Sequence, residues 1–194
     1  MTKSNITPIT LTTSVTPVTY SADNINHYIH SGWQKVCTVH NATSYGNEWF
    51  YKDIDTSLMY SNHRSWVYAI TVNDYIVKIG ETGQPLGISK NYSSQPITGT
   101  KSRLGRYARH KASSTNTIGD TDETIRTALV EETKSPDYTV AFYAYKCEEA
   151  VQKIVLGNTV IHCKAQVHKD YEKKFLDYYK DNVGTYPELN AGRA

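Results

Sequence analysis

The chain has 194 residues, 39% of them hydrophobic and 21% charged, with a net charge of +2. That suits one soluble domain with a sizeable core, and a charge this small does not by itself imply nucleic acid. No stretch approaches the roughly 18 consecutive apolar residues of a membrane span, and the N-terminus lacks the apolar core of a secretory leader. The three cysteines, Cys37, Cys147 and Cys163, form no disulfide framework and suit a reducing, cytoplasmic setting.

In chain order, residues 1–20 are rich in Thr and poor in charge, and read as an extended arm or an edge strand. Residues 22–31 read as a short helix capped near Ser21 or Asp23. Residues 33–60 mix aromatic and β-branched residues with Asn, Gly and Asp, and their pattern sets no order of elements. Val67–Val72 and Tyr75–Ile79 read as antiparallel strands around a tight Asn73-Asp74 turn. Residues 83–100 are punctuated by Gly, Pro and Ser and read as a long loop. A helix follows over Lys101–Ser113, and a second over Thr121–Thr133 with acids in its first turn. Tyr138–Cys147 is a strand, 152–164 a hairpin around Gly157-Asn158, and Lys164–Asp181 a helix ending near Gly184. Segregated strands and helices predict an α+β fold: a small antiparallel sheet flanked by helices, with an N-terminal extension and an inserted β-hairpin.

Three places carry chemistry. From Thr82 to Gly119 there is no acidic residue, while Lys90, Lys101, Arg103, Arg106, Arg109, His110 and Lys111 lie within it. Such a block attracts phosphate, or is a solvated helix face. On the last helix, Glu172 is centred on the apolar arc with His168, Phe175, Leu176 and Tyr179, while Lys173, Lys174, Asp177, Lys180 and Asp181 face the other way. An inward carboxylate is either paired with a core residue or holds a metal. In the hairpin, Tyr68 and Lys78 can share a face. An ammonium beside a phenol lowers the phenol pKa and makes a general base; the alternative is a core tyrosine and a surface lysine.

Taken in order, these pieces resemble the GIY-YIG nuclease superfamily. Tyr68 stands at the end of the first triplet. Lys78-Ile79-Gly80 stands for the second triplet, with lysine in place of its tyrosine, as in a restriction-endonuclease branch. Arg103-Leu104-Gly105-Arg106-Tyr107 matches the arginine helix, Glu172 the metal-binding glutamate, and Asn190 the closing asparagine. The resemblance covers about residues 64–192, with Trp66-Val67 replacing the usual Gly-Ile before the tyrosine. It implies a nuclease domain at 64–194 behind an elaboration at 1–63 for DNA reading or dimerisation. It further implies catalytic Tyr68, Lys78, Arg103, Tyr107 and Glu172, with Glu172 binding Mg²⁺ and Mn²⁺ tolerated. Lys90, Lys101, Arg106, Arg109, His110 and Lys111 would bind DNA, and Gly80 and Asn190 would be structural. The expected activity is a cytoplasmic type II restriction endonuclease. It would act as a homodimer on double-stranded DNA, without membrane or organic cofactor, leaving 5′-phosphate and 3′-hydroxyl ends. The alternatives are a phage-borne or homing-type nicking enzyme and a non-catalytic DNA-binding module. A zinc site of Cys37, His40, His162 and Cys163 lacks paired CxxC spacing.

Overall fold

The computed structural model describes residues 9–12, 17–20, 23–41, 49–87, 102–107 and 120–190. Its centre is a five-stranded antiparallel sheet in the order β4-β3-β7-β5-β6. The strands are β3 (Trp33–Asn41), β4 (Trp49–Lys52), β5 (Trp66–Val72), β6 (Tyr75–Thr82) and β7 (Val140–Lys146). Two ribbons stand apart from it: β1 (Ile9–Thr12) with β2 (Pro17–Tyr20), and β8 (Val151–Leu156) with β9 (Thr159–Lys164). The fold is α+β with an N-terminal extension and an added hairpin, as the sequence predicts.

Helices cover both faces of the central sheet. The side chains of β5 therefore alternate between two cores, and all seven of its residues are buried. On one face Tyr68, Ile70 and Val72 pack with Leu58 and Met59 of α2 (Thr56–Met59), Leu104 and Tyr107 of α3 (Arg103–Tyr107), and Ile125 of α4 (Asp120–Ala128). On the other, Val67 and Ala69 pack with Tyr28 of α1 (Asn26–Ile29) and with Leu176 and Tyr179 of α6 (Val167–Val183). This two-period pattern follows from the pleat.

The β5–β6 turn has positive φ at both Asn73 (48°) and Asp74 (66°). That is the conformation a two-residue hairpin needs, and Asn and Asp tolerate it. The outer edge of β6 is covered at two points. The Asp23 carbonyl accepts from Ile76 N–H at 2.8 Å. The Asn190 amide takes both backbone groups of Ile79, accepting from its N–H at 2.8 Å and donating to its C=O at 2.7 Å. Such covering removes an edge open to foreign strands.

Two expectations shift. The helix read over Thr121–Thr133 is two helices, α4 and α5 (Val130–Lys134), separated at Leu129, whose φ of −110° leaves the helical range while its side chain anchors in the core. Residues 33–52, unordered in the sequence reading, supply β3 and β4 of the central sheet. That sheet therefore draws strands from both sides of the boundary expected at 63/64. Among the described residues, no helix is long and apolar enough to cross a membrane.

Candidate active site

Gly80 sits directly across from Tyr68 in the β5–β6 register. A methyl group at Gly80 would lie 2.4 Å from the Tyr68 hydroxyl and 2.5 Å from Cζ, so the phenol ring lies over this glycine. The missing side chain lets the ring cross β6 and reach α3.

There the phenol meets a guanidinium. Arg103 Nε donates to Tyr68 Oη at 2.8 Å, and its Nη2 donates to the same oxygen. Tyr68 and Tyr107 share a hydroxyl–hydroxyl bond of 3.0 Å, and Nη2 also reaches Tyr107 Oη at 3.3 Å. Asp122, buried in the first turn of α4, closes the group with an ion pair to Nη2 at 3.2 Å. The arginine lies 5.1 Å from each phenol ring centroid, a cation–π distance.

Neighbouring elements hold these groups in place. Ser102 Oγ accepts from Gly105 N–H at 3.1 Å at the start of α3, and the backbone N–H groups of Arg103 and Leu104 donate to the carbonyls of Pro85 and Leu86. Tyr51 of β4 donates to Leu104 C=O at 2.7 Å. Trp49 stacks on Tyr107 at 5.6 Å with an interplanar angle of 17°, and Phe142 of β7 packs against both phenols.

Charge and burial compete at Tyr68. Burial raises its pKa above the ordinary phenol value; Arg103 and the bond from Tyr107 pull it down, and Asp122 pushes it up again. The net shift is upward, so the depressed phenol expected from the sequence is not what these surroundings produce, and the cation bonded to the phenol is Arg103. Burial works against the charge on Arg103, but the two phenols and Asp122 outweigh it and strengthen its hold on the proton. Tyr107 is raised well above the ordinary range, first by burial and then by Tyr68.

Lys78 is buried, lies across from Ile70, and so shares the Tyr68 face of the sheet. Glu172 is also buried, but its helix α6 packs Leu176 and Tyr179 on the opposite face. One turn before it, His168 stands 3.4 Å from Glu81, the residue after Gly80, and 3.4 Å from Ser65 Oγ. Ser65, Glu81 and His168 line a cleft of about 460 Å³ at the start of β5 and the end of β6. The structure thus unites Tyr68, Arg103 and Tyr107 in one hydrogen-bonded group and sets Lys78 on their face, while Glu172 lies on α6, which packs on the other face of the sheet.

Of the expected DNA-binding residues, Arg106 is described and is exposed on α3. Lys90, Lys101, Arg109, His110 and Lys111 lie outside the described residues. Among the described residues, no three His, Cys, Asp or Glu side chains gather as a metal cluster, and Cys37 is buried in the sheet core, its thiol pushed up by burial. Sequence reasoning missed Asp122 and Trp49. The signal for Asp122 lies in the acids of the first turn of α4, a position where an acid suits the helix dipole without any partner. Trp49 gave none, because its strand was not recognised.

The sequence matches no protein-family model and no curated protein. Among solved structures, the chain is similar to the restriction endonuclease HPY188I in complex with product DNA: 17% identity, 86% of this chain, 84% of that one, TM-score 0.50. It also aligns with a mutant of bacteriophage T4 EndoII: 15% identity, 81% of this chain, 96% of that one, TM-score 0.49. The first likeness shows the shared fold.

Proposed function

We propose that this protein is a Mg²⁺-dependent, site-specific endonuclease of the GIY-YIG type. In this reading it hydrolyses double-stranded DNA as a homodimer, in the manner of a type II restriction enzyme, and leaves 5′-phosphate and 3′-hydroxyl ends. The observation that carries the reading is the Tyr68–Arg103–Tyr107 group. In it a phenol and a guanidinium lie within one hydrogen bond of each other, in the order and on the elements that the resemblance requires, which supports the roles of proton acceptor and phosphate-binding fork. The fold shared with a restriction endonuclease captured with product DNA supports it.

In this mechanism water attacks the phosphorus and its proton passes to Tyr68 Oη in the fraction of molecules whose phenol is ionised, a form that the two Arg103 N–H bonds favour against burial. The bond to the 3′ oxygen breaks, and that oxygen takes a proton from solvent. Arg103, held by Asp122, presents its guanidinium to the phosphate oxygens as charge builds on them. Lys78 adds positive charge on the same face. Tyr107 fixes the Tyr68 hydroxyl, and Asn190 fixes the strand that carries Lys78. A single carboxylate, Glu172, suits Mg²⁺, which takes one or two carboxylates and completes its shell with water and substrate phosphate. When bound there, the ion would supply Lewis-acid stabilisation for the departing 3′ oxygen.

The test is incubation of purified protein with plasmid and Mg²⁺ at low salt, followed by sequencing of the ends. Discrete fragments with 5′-phosphates support the reading. Nicked circles alone replace it with a nicking enzyme, and intact plasmid bound by protein replaces it with a binding module.

A further inference from the structure

The β8–β9 ribbon has no core of its own. Its apolar residues stay in solvent: Val155 and Leu156 are each 60% exposed, and Val160, paired with Val155, is 45% exposed. A lone two-stranded ribbon is marginally stable in water, and exposed apolar surface marks a contact site. The segment from Val151 to Lys164 contains Lys153, His162 and Lys164 and no Asp or Glu. Lys153 and His162 pair across the strands, both exposed.

The position of the ribbon gives it direction. Its base closes with Ala165 N–H donating to Ala150 C=O at 2.8 Å. Ala150 and Ala165 are also in the wall of the 460 Å³ cleft, with Arg64, Gln84 and Lys169. Gln84 of that wall directly precedes Pro85 and Leu86, whose carbonyls hold the start of α3. The ribbon therefore rises from a cleft that abuts the connection to the Arg103 helix.

We propose that β8–β9 is an arm that enters a groove of the duplex and holds it over the Tyr68–Arg103 group. This rests on the endonuclease reading. The major groove, roughly 12 Å wide, admits a two-stranded β-ribbon. Six residues per strand give a reach of about 20 Å. Lys153 meets a backbone phosphate, while the valine and leucine side chains at the tip contact thymine methyl groups. Charge decides between partners: a ribbon with basic residues and no acidic one is drawn to a polyanion, whereas two copies of it repel.

The test measures binding of a fluorescein-labelled duplex oligonucleotide by anisotropy over a salt series with chelator present, and sedimentation of the same full-length proteins. Lys153→Glu should weaken binding about tenfold at low salt and make the log–log salt slope shallower by about 0.9, the share of one phosphate. Val155→Ser with Leu156→Ser should weaken binding without changing the slope. Sedimentation should match the wild type for all variants. Wild-type affinity and slope in every variant, or variants that separate associated copies, overturn the arm. A wild type that binds no duplex overturns the endonuclease reading and the arm with it.

Discussion

Gly80→Ala tests whether the hairpin places the phenol as described. The new methyl would stand 2.4 Å from the Tyr68 hydroxyl and 2.5 Å from Cζ, inside any permitted contact. Tyr68 is 1% exposed, with its ring packed against Tyr107 and Phe142, so it cannot swing into solvent. Overpacking of this kind costs about 1–3 kcal/mol, which for a chain of this size lowers Tm by roughly 2–12 °C. Under the proposed mechanism, shifting the Tyr68 oxygen by about 1 Å should also cost on the order of 10² in rate. Thermal unfolding followed by circular dichroism, with single-turnover cleavage of duplex DNA, measures both. A double-mutant cycle isolates the cause. With Tyr68→Ala in place the ring is gone, and Gly80→Ala should then cost little stability. Additive losses, or a Gly80→Ala protein with wild-type Tm and rate, would refute the ring-over-glycine geometry.

Other outcomes follow from the same structure. Asp122→Asn removes the anion that holds Arg103. It should lower the cleavage rate with little change in half-saturating DNA concentration, while an equal loss in binding alone would place Asp122 outside the site's support. Asn190→Ala leaves the N–H and C=O of Ile79 without their partner. It should cost about 2–5 kcal/mol and lower Tm by roughly 4–20 °C; a Tm within a degree of wild type contradicts the edge-cap role. Tyr51, Tyr68, Tyr107 and Tyr179 all have raised phenol pKa values, burial being the first cause of each. Their stabilisation is fully present below the unfolded phenol value of about 10 and is lost as pH rises towards the folded values. Tm should therefore hold from pH 8 to about 10 and fall beyond it, and a flat curve to pH 11 would argue against buried phenols.

Much of the candidate site's placement was legible in the sequence because its signals are local. Asn73-Asp74 between alternating apolar residues gives the hairpin. The 3.6-residue period places Glu172 among Leu176 and Tyr179, both of which are buried as expected. What escaped depends on distant packing. The β3–β7 pairing shifts register between Lys35 and Cys37, which breaks the alternation that would have marked β3. Without β3 and β4, neither Trp49 beneath Tyr107 nor Tyr51 bonded to α3 could be foreseen. The pKa direction of Tyr68 was misread for a related reason. A neighbouring cation can be guessed from spacing, but the depth of burial that outweighs it belongs to the assembled core. The break at Leu129 carries no Gly or Pro to announce it.

The most direct test of the central claim, that Arg103 and Tyr68 form the hydrolytic centre, compares Arg103→Ala with Arg106→Ala in single-turnover cleavage at saturating duplex, with Tm measured alongside. Arg103 is bonded to the phenol, whereas Arg106, three residues on, is exposed. The account predicts that Arg103→Ala loses about 10²–10³ in rate while remaining folded, and that Arg106→Ala cleaves near the wild-type rate. Equal rates for the two variants in folded proteins would contradict it.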